Sequence, residues 1–387
     1  MMRYFKRVAA YFLLVLLASC ASSGLKQVTP PPPASTVGYF PPKTPEIPLK
    51  QDGSYDKDFV YPVMFGTNRK PTADKKGFTE DRDQKLSYGR VLVEIPKNHK
   101  VGSTGGGAQN FFLGDDPPLR IKDVQVFEKD SQFLAYARDT LKPVTSPENG
   151  YLLVYIHGYN TSFKMAALRA AQLGVDLDVP EENMYFFSWP AIDSLETYTR
   201  DEASIEYSEK YLREFLETTL SVAEYRNRRV HIIAHSMGNR ALLRVISSFE
   251  PRWGRRAFGQ IILAAADVDQ DVFNDLGASY LAAADKTTVY ISPYDFAVKA
   301  SDFVHKYGRV GCGNSPTVKF PAIDNVVSTL NSDFPEHSYF AETRPILLDI
   351  KNLILRGVSS RDSQAWKKEG TNYWRVEGTS TGKILCQ

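Results

Sequence analysis

Ser236 is the residue whose neighbours point most directly to chemistry. It lies in the pentapeptide Ala-His-Ser-Met-Gly at 234–238, which follows an apolar run at 230–234 and opens a segment with helical spacing at 237–249. A serine on a sharp strand-to-helix turn presents its hydroxyl, and the helix N-terminus behind it offers N–H groups to a developing oxyanion. The small residues at the two ends of the pentapeptide permit that turn, although alanine replaces the more usual first glycine. The pattern predicts a nucleophilic serine, with the N–H group of Met237 as one oxyanion donor.

A second donor for the same oxyanion is predicted after the apolar run at 151–156. That run leads into His157-Gly158-Tyr159-Asn160. In hydrolases with a nucleophile on a strand-to-helix turn, the loop at this place supplies another backbone N–H group. We assign the donor to Tyr159 and keep Asn160 as the alternative. His157 precedes the nucleophile in the chain, so we interpret it as structural rather than as the catalytic base.

The order serine, acid, histidine along the chain identifies candidates for the acid of a triad. Asp295 follows the strand predicted at 288–291, and this order requires an acid at the C-terminal end of a strand after the nucleophile. Asp267 follows an earlier predicted strand at 261–265 and is the rival acid. We favour Asp295 because the later strand is the commoner origin of the acid in such enzymes. The other interpretation of Asp267 is a helix cap.

Two histidines follow Asp295 in the sequence, His305 and His337. His337 lies in a turn-rich segment at 333–339, before the last predicted helix. His305 lies soon after Asp295, in a segment at 301–307 with helical character. The order of the triad and the loop position favour His337 as the general base.

Two patterns that resemble metal sites do not satisfy the requirements of such sites. Asp267, Asp269 and Asp271 begin like a calcium loop, but its sixth and twelfth positions hold valine and alanine instead of glycine and glutamate. His231 and His235 are four residues apart on a predicted strand, which separates them by about 13 Å, too far for one metal ion. We therefore predict neither a metal ion nor an organic cofactor.

From residue 150 onwards, predicted strands alternate with predicted helices. Strands are expected at 151–156, 184–187, 230–234, 260–265 and 287–291, and helices at 162–177, 204–222, 237–249 and 345–355. Continuous apolar runs are typical of buried parallel strands. The alternation predicts an α/β fold with a mostly parallel sheet and helices on both faces. A β-rich extension precedes it, with short strands at 59–65, 90–95 and 123–128 and a polar loop at 70–85.

The N-terminus has the three parts of a secretory signal. Basic residues at 3–7 precede an apolar run at 8–17, and Leu-Ala-Ser then leads into Cys20, which resembles the bacterial lipobox. In a lipoprotein this cysteine is diacylated and becomes the new N-terminus. A membrane-spanning helix is a weaker interpretation, because the apolar run is well short of the roughly 20 residues that cross a bilayer. An ordinary signal peptide with an unrelated cysteine is the other alternative.

Charge and cysteine content narrow the classes of partner. The chain has 387 residues, 47 of them basic and 45 acidic, and a formal net charge of +2. No part is basic enough to indicate a nucleic-acid substrate. If Cys20 is lipidated, Cys312 and Cys386 remain, and an oxidising periplasm would allow them to pair. Two free buried thiols are the alternative. Nothing in the sequence indicates the oligomeric state.

Seven stretches of the chain resemble a bacterial family of uncharacterised α/β-hydrolase-like proteins. They lie at 65–69, 88–91, 155–163, 187–190, 233–238, 263–269 and 337–340. The resemblance implies the α/β-hydrolase fold and a triad of Ser236, His337 and Asp295, and it leaves the substrate unassigned. We expect a serine hydrolase of esterase or lipase type that cleaves a carboxylic ester, either an acyl lipid or a small ester, through an acyl-enzyme. The alternative is a non-catalytic envelope lipoprotein that uses the fold for binding or structure.

These features divide the chain into four segments. They are a lipoprotein signal peptide at 1–19, a proline-rich tether at 20–50, an α/β-hydrolase domain at 51–356 that includes the β-rich extension at 51–149, and a C-terminal tail at 357–387. A proline-rich docking motif is the rival interpretation of the tether. The residue after Cys20 is alanine rather than aspartate, so in a Gram-negative host we expect an anchor in the outer membrane, facing the periplasm.

Overall fold

The computed structural model describes residues 55–105, 117–146, 150–192, 194, 197–249, 256–330, 337–357, 359, 361, 366–378 and 384–386. The predicted signal peptide, the lipobox cysteine and the tether lie outside the described residues.

Eleven strands among the described residues form one sheet, in the order β10-β11-β9-β8-β7-β6-β4-β5-β1-β2-β3. Their bounds are β1 Phe59–Pro71, β2 Phe78–Ile95, β3 Arg120–Val126, β4 Tyr151–Ile156, β5 Met184–Ser188, β6 Arg229–His235, β7 Phe258–Ala264, β8 Ala284–Ile291, β9 Ile323–Ser328, β10 Trp366–Lys368 and β11 Tyr373–Val376. The pairs β1–β2, β2–β3 and β10–β11 are antiparallel, and every other neighbouring pair is parallel. The predicted mostly parallel sheet is confirmed, and the β-rich extension forms one end of it.

Nine helices lie among the described residues. Their bounds are α1 Asp130–Thr140, α2 Phe163–Asp176, α3 Tyr198–Tyr225, α4 Gly238–Ser247, α5 Gln270–Leu276, α6 Ala278–Ala283, α7 Phe296–His305, α8 Tyr339–Glu342 and α9 Arg344–Arg356. Within this described part of the chain, no helix combines the length and the apolar character needed to span a bilayer.

Helices cover both faces of the sheet, as its continuous apolar strands require. All six residues of β4 are buried. Leu152 and Val154 belong to a hydrophobic cluster that also contains residues of α3 and α4. Leu153 and Tyr155 belong to a second cluster, with residues of α2 and α9. Alternate residues of one strand therefore enter opposite layers, and the catalytic candidates lie at the C-terminal edge between these layers.

Strands β1 and β2 form a long hairpin through the segment predicted as a polar loop at 70–85. β1 continues to Pro71 and β2 begins at Phe78, and Arg69 is paired with Arg82. The loop prediction was wrong for 78–85 because the polar side chains of this part of β2 are exposed or half-buried. A strand with a solvated face can have a polar composition without losing its ladder of hydrogen bonds.

Residues beyond α9 add β10 and β11 to the same sheet. Between them and α9, the buried guanidinium of Arg361 pairs with Asp349 at 2.8 Å and with Asp324 at 2.9 Å. Because Asp324 belongs to β9 and Asp349 to α9, this cation joins the end of the chain to the core of the fold.

The C-terminus is also fixed to the loop that leads into α7. Cys312 and Cys386, whose pairing the sequence left open, form a disulfide with a Cα–Cα distance of 5.4 Å. The backbone N–H groups of Leu385 and Cys386 donate to the carbonyl oxygen of Pro293, at 2.8 and 3.1 Å. Asp295 lies two residues further on, so the disulfide secures the loop that carries the favoured acid.

Candidate active site

The turn between β6 and α4 has Ser236 at its apex. The φ angle of Ser236 is +50°, in the left-handed region that residues other than glycine rarely adopt. The end of β7 supports the turn, because the N–H group of Ser236 donates to Ala264 O at 3.0 Å and the N–H group of Asp267 donates to Ser236 O at 3.2 Å. The side-chain amide of Asn239 donates to Ser236 O and to Ala234 O, each at 3.0 Å. The strained strand-to-helix turn expected from the sequence is present.

Two glycines allow the loop after β4 to lie against this serine. A Cβ atom on Gly158 would lie 2.7 Å from the Cβ atom of Ser236, and one on Gly238 would lie 2.6 Å from His157 O. Both distances are too short for any other residue without a backbone shift. The loop predicted to supply an oxyanion donor is therefore packed directly beside the candidate nucleophile.

Within that loop, the geometry distinguishes the two candidate donors. Asn160 has a φ of +55°, and its N–H group donates to Asp201 Oδ2 at 3.2 Å. The same carboxylate accepts from Ile192 N–H at 3.0 Å. Because the N–H group of Asn160 is engaged, Tyr159 is the better candidate of the two. Met237 lies at the first turn of α4, where backbone N–H groups have no partner within the helix.

Asp201 holds the loop at 157–160, which we call the oxyanion loop because it is predicted to supply an oxyanion donor, and this contact was not predicted from the sequence. Its side chain is buried, and burial raises its pKa to about 6, although the two N–H groups and the charge of Arg69 act in the opposite direction. The contact between Asp201 and Asn160 spans 41 positions, and no local pattern signals it.

His337 and Asp295 are in direct contact. Nδ1 of His337 lies 2.9 Å from each carboxylate oxygen of Asp295, and the Asp295 side chain is fully buried. Asp295 also caps α7 by accepting from Val298 N–H at 2.9 Å. Burial alone would lower the pKa of His337, but the charge and hydrogen bond of Asp295 outweigh it and raise the pKa above its ordinary value. With Nδ1 bound to the acid, Nε2 is the nitrogen left to exchange a proton.

Comparison with known proteins agrees with this architecture. Residues 135–353 match the model of a family described as alpha/beta hydrolase of unknown function, DUF900. The chain belongs to this family. No curated protein matches it. Two solved complexes of prolyl oligopeptidase B from Galerina marginata, one with a 25mer macrocyclization substrate and one with a 35mer substrate, share 11% and 10% identity with this chain.

These two structures cover 70% and 71% of the chain, with TM-scores of 0.22 and 0.20. The chain itself spans 41% and 42% of the length of those proteins. Likeness at this level adds nothing to the assignment of the site.

The two histidines that the sequence analysis did not choose as the base, His157 and His305, have other partners. His157 is buried and stacks on Trp189 with ring centroids 5.0 Å apart, and burial and the charge of Arg69 lower its pKa to about 3. His305 lies at the end of α7, where its Nε2 atom contacts Glu202 at 2.7 Å. Neither contact involves the acid candidates, which is consistent with the choice of His337.

Asp267, the rival acid, is enclosed by its own partners. Its carboxylate accepts from Tyr198 Oη at 2.6 Å and pairs with Arg240 at 3.1 Å and with Arg309 at 3.5 Å. Burial would raise the pKa of Asp267, but these cations and hydroxyl donors lower it below its ordinary value. Among the described residues, no three His, Cys, Asp or Glu side chains are grouped as a metal site would require.

His235 joins the turn at Ser236 to the loop of His337, a contact that the sequence analysis missed. Its Nε2 atom lies 3.1 Å from the carbonyl oxygen of His337, and its ring is 4.4 Å from the ring of His337 and 4.8 Å from Phe340. Burial and the nearby His337 lower the pKa of His235 well below its ordinary value. His235 is therefore neutral at neutral pH and donates from Nε2 to the loop that carries the base.

Replacing His235 with leucine removes this hydrogen bond and should displace His337 without touching the substrate. We expect kcat to fall by roughly tenfold to a hundredfold, with KM nearly unchanged. His235→Gln retains a terminal N–H donor and should recover most of kcat. The measurement is steady-state kinetics on an activated ester, with folding checked by circular dichroism. Equal loss in the two folded variants would contradict a role for the hydrogen bond.

Proposed function

We propose that this chain is a serine hydrolase that cleaves carboxylic esters through a covalent acyl-enzyme. One observation carries the proposal. A buried carboxylate, that of Asp295, binds Nδ1 of a histidine, and His235 connects the same histidine to the strained serine turn. Serine, histidine and acid in these roles are the minimum set for nucleophilic catalysis by a hydroxyl.

In the proposed reaction, the hydroxyl oxygen of Ser236 attacks the ester carbonyl carbon while Nε2 of His337 accepts the hydroxyl proton. The tetrahedral oxyanion receives the N–H groups of Met237 and Tyr159. Collapse breaks the bond to the leaving group, which takes the proton from His337 and departs as an alcohol. Water, activated by His337, then attacks the acyl-enzyme and releases the carboxylic acid and Ser236. No atom of a metal ion or cofactor is required in these steps.

Asp295 contributes by electrostatics and orientation rather than by accepting a proton. It holds Nδ1 of His337 in the protonated tautomer and offsets the positive charge that the ring acquires during attack. Each oxyanion N–H donor is expected to accelerate the reaction by roughly 10² to 10³. Esters are the favoured substrates because an alkoxide leaving group needs less help from the general acid than an amine.

Substitution of the proposed triad tests this function. Ser236→Ala and His337→Ala should each lower kcat/KM by roughly 10⁶, because the two residues act as one unit, whereas Asp295→Asn should lower it by roughly 10⁴. The measurement is kcat/KM on p-nitrophenyl esters of several chain lengths. A fluorophosphonate probe should label the wild-type protein, and Ser236→Ala should remain unlabelled.

Asp267→Asn is the matched control for the acid and should keep most of the activity while folded. If it is inactive and Asp295→Asn is active, the acid belongs to β7 and our assignment is wrong. If His337→Ala stays near wild type, His337 is not the base and His305 becomes the candidate. Absence of both labelling and hydrolysis in the folded wild type would favour the non-catalytic alternative.

The raised pKa of His337 predicts a pH dependence. The base is active only when deprotonated, and a raised pKa keeps it protonated to higher pH, so kcat/KM should rise with pH through a midpoint above the ordinary histidine value of about 6.5. Asp295→Asn should shift the midpoint downwards, because it removes the carboxylate that stabilises the charged ring. Asp267 raises the pKa of His337 by its charge alone, without a hydrogen bond to the ring. Asp267→Asn should therefore shift the midpoint less than Asp295→Asn does. Equal shifts in the two variants would contradict the assignment.

We further propose that the chain is anchored by a lipid on Cys20, in the outer membrane and facing the periplasm. The basic, apolar and Leu-Ala-Ser-Cys segments of the sequence support this proposal. Mass spectrometry of the mature protein should find an N-terminal Cys20 that carries acyl chains, and Cys20→Ala should abolish that species. An unlipidated N-terminus at another residue would contradict the anchor.

A further inference from the structure

Helix α7 has its polar side turned inwards. The hydroxyl of the buried Ser301 contacts Asp267 and Tyr198. One turn later, His305 contacts Glu202 at 2.7 Å. A surface helix normally buries its apolar side and exposes its polar side. Val298, in the first turn, is buried in the usual way. The inner side of the later turns instead meets a charged cluster, and the apolar residues Phe303 and Val304 lie on the outside.

Exposed apolar side chains are concentrated at the end of this helix, at Ala300, Phe303 and Val304, and at Tyr307, two residues beyond its last residue. We call these four residues the α7 apolar face. Phe303 is 75%, Val304 59% and Tyr307 62% exposed. Twelve large hydrophobic residues in the described part of the chain are 37% exposed or more, and the three most exposed of them fall within positions 303–307. Single exposed apolar residues need no explanation, whereas a cluster indicates an interaction surface.

We propose that the α7 apolar face rests on the surface of a phospholipid bilayer, and that the hydrolase takes its ester from that bilayer. The inference rests on the proposed esterase function and on the proposed anchor at Cys20. It adds two things to those proposals. The substrate is a lipid ester that lies in a membrane, and the α7 apolar face holds the active site against that membrane.

The size of the face favours a bilayer over a second protein. With about 200 Å² for each fully exposed aromatic side chain, the face offers roughly 300 to 400 Å² of apolar surface. A stable protein interface buries about 800 Å² on each partner. Two aromatic rings, a valine and a flanking lysine at position 306 are instead typical of a helix that lies at the boundary between headgroups and acyl chains.

The length of the tether explains why a small face would be sufficient. The 35 residues from Cys20 to residue 54 have a contour length of at most about 120 Å. That contour length exceeds the radius of gyration of about 20 Å that is typical of a domain of this size, so chain length alone excludes none of the domain's faces from the bilayer. A lipid on Cys20 would keep the domain at high effective concentration near the membrane, and a weak surface contact could then select the orientation.

Contacts within the fold connect this face to the candidate active site. α7 begins at the residue after Asp295, which binds His337. Tyr198, which contacts Ser301 on the inner side of α7, also packs edge-on against Tyr159 with ring centroids 5.4 Å apart. The helix therefore lies between the proposed bilayer surface and the groups that hold the base and the oxyanion loop.

Site-specific labelling of the full, lipidated chain tests the contact. Phe303→Cys and Tyr225→Cys place a thiol on the α7 apolar face and at a matched control position. Tyr225 is 55% exposed and ends α3 just before β6 begins, at the opposite end of that strand from Ser236. Cys312 and Cys386 are disulfide-bonded and Cys20 would carry the lipid, so the introduced cysteine is the thiol that reacts with an environment-sensitive fluorophore.

The labelled proteins are reconstituted into vesicles of phosphatidylethanolamine and phosphatidylglycerol with lipids that carry a spin-label quencher near the headgroup. We expect a blue shift and several-fold stronger quenching at position 303 than at position 225. Equal, weak quenching in vesicle-bound protein would overturn the proposal. A shift at position 303 without vesicles that grows with protein concentration would overturn it in favour of a second copy of the chain. If neither protein binds vesicles, both the anchor and the docking are wrong.

An activity measurement separates docking from catalysis. Phe303→Ser/Tyr307→Ser should lower kcat/KM on an ester embedded in the vesicles by about tenfold or more, and should leave hydrolysis of soluble p-nitrophenyl acetate unchanged. Tyr225→Ser should change neither. If the face is quenched by the bilayer and neither ester is cleaved, the proposed function fails while the docking stands. If both esters lose activity equally, the face does not act through the membrane and the proposal is overturned.

Discussion

The turn at Ser236 is the constraint on which the rest of the candidate site depends. A residue with a Cβ atom held at positive φ is stable only where its surroundings determine the backbone. Here Ala264, at the end of β7, accepts from Ser236 N–H, Asp267, just beyond β7, donates to Ser236 O, and the side-chain amide of Asn239 donates to the same oxygen. The close approach of the loop after β4 follows from the same turn, because Gly158 packs against the serine Cβ atom. The parallel sheet matters to the chemistry because its adjacent C-terminal edges bring these segments together.

Much of the fold could be predicted from the sequence because the central strands are buried on both faces. β4 and β7 have no exposed position, so their residues form continuous apolar runs that stand out. β9 was missed because Asp324 and Asn325 interrupt its apolar residues. Asp324 is buried there with two counter-charges, Arg361, 37 positions later, and Lys286, on the neighbouring strand β8. A partner at that distance in the chain leaves no local pattern in the sequence.

The residues of the candidate site also differ in how far the sequence could predict them. The positions of Ser236, His337 and Asp295 along the chain carried information, because the order of the triad is a property of the connectivity. The residues that position those three side chains could not be identified from the sequence. His235 reaches the loop of His337 across 102 positions, and Asp201 fixes the oxyanion loop from a helix that the sequence predicted only in its later part. Both are buried polar groups whose hydrogen-bond partners lie on other elements of the fold. Such pairs form only in the folded structure, so the sequence around either residue does not indicate them.

Charge balance gives the physical reason to prefer Asp295 over Asp267 as the acid. A triad carboxylate must offset the imidazolium that forms during attack, so its charge must not already be neutralised. Asp267 lies between Arg240 and Arg309, and these two cations already neutralise its negative charge. Asp295 is fully buried, and within the described ranges His337 is the only ion-pair partner in contact with it. The N–H group of Val298 and the N-terminal end of the α7 dipole stabilise the Asp295 carboxylate before attack, and the protonated His337 ring becomes its counter-charge as the oxyanion forms. An arginine beside Asp295 would have stabilised the carboxylate equally well, but it would have left the developing imidazolium uncompensated.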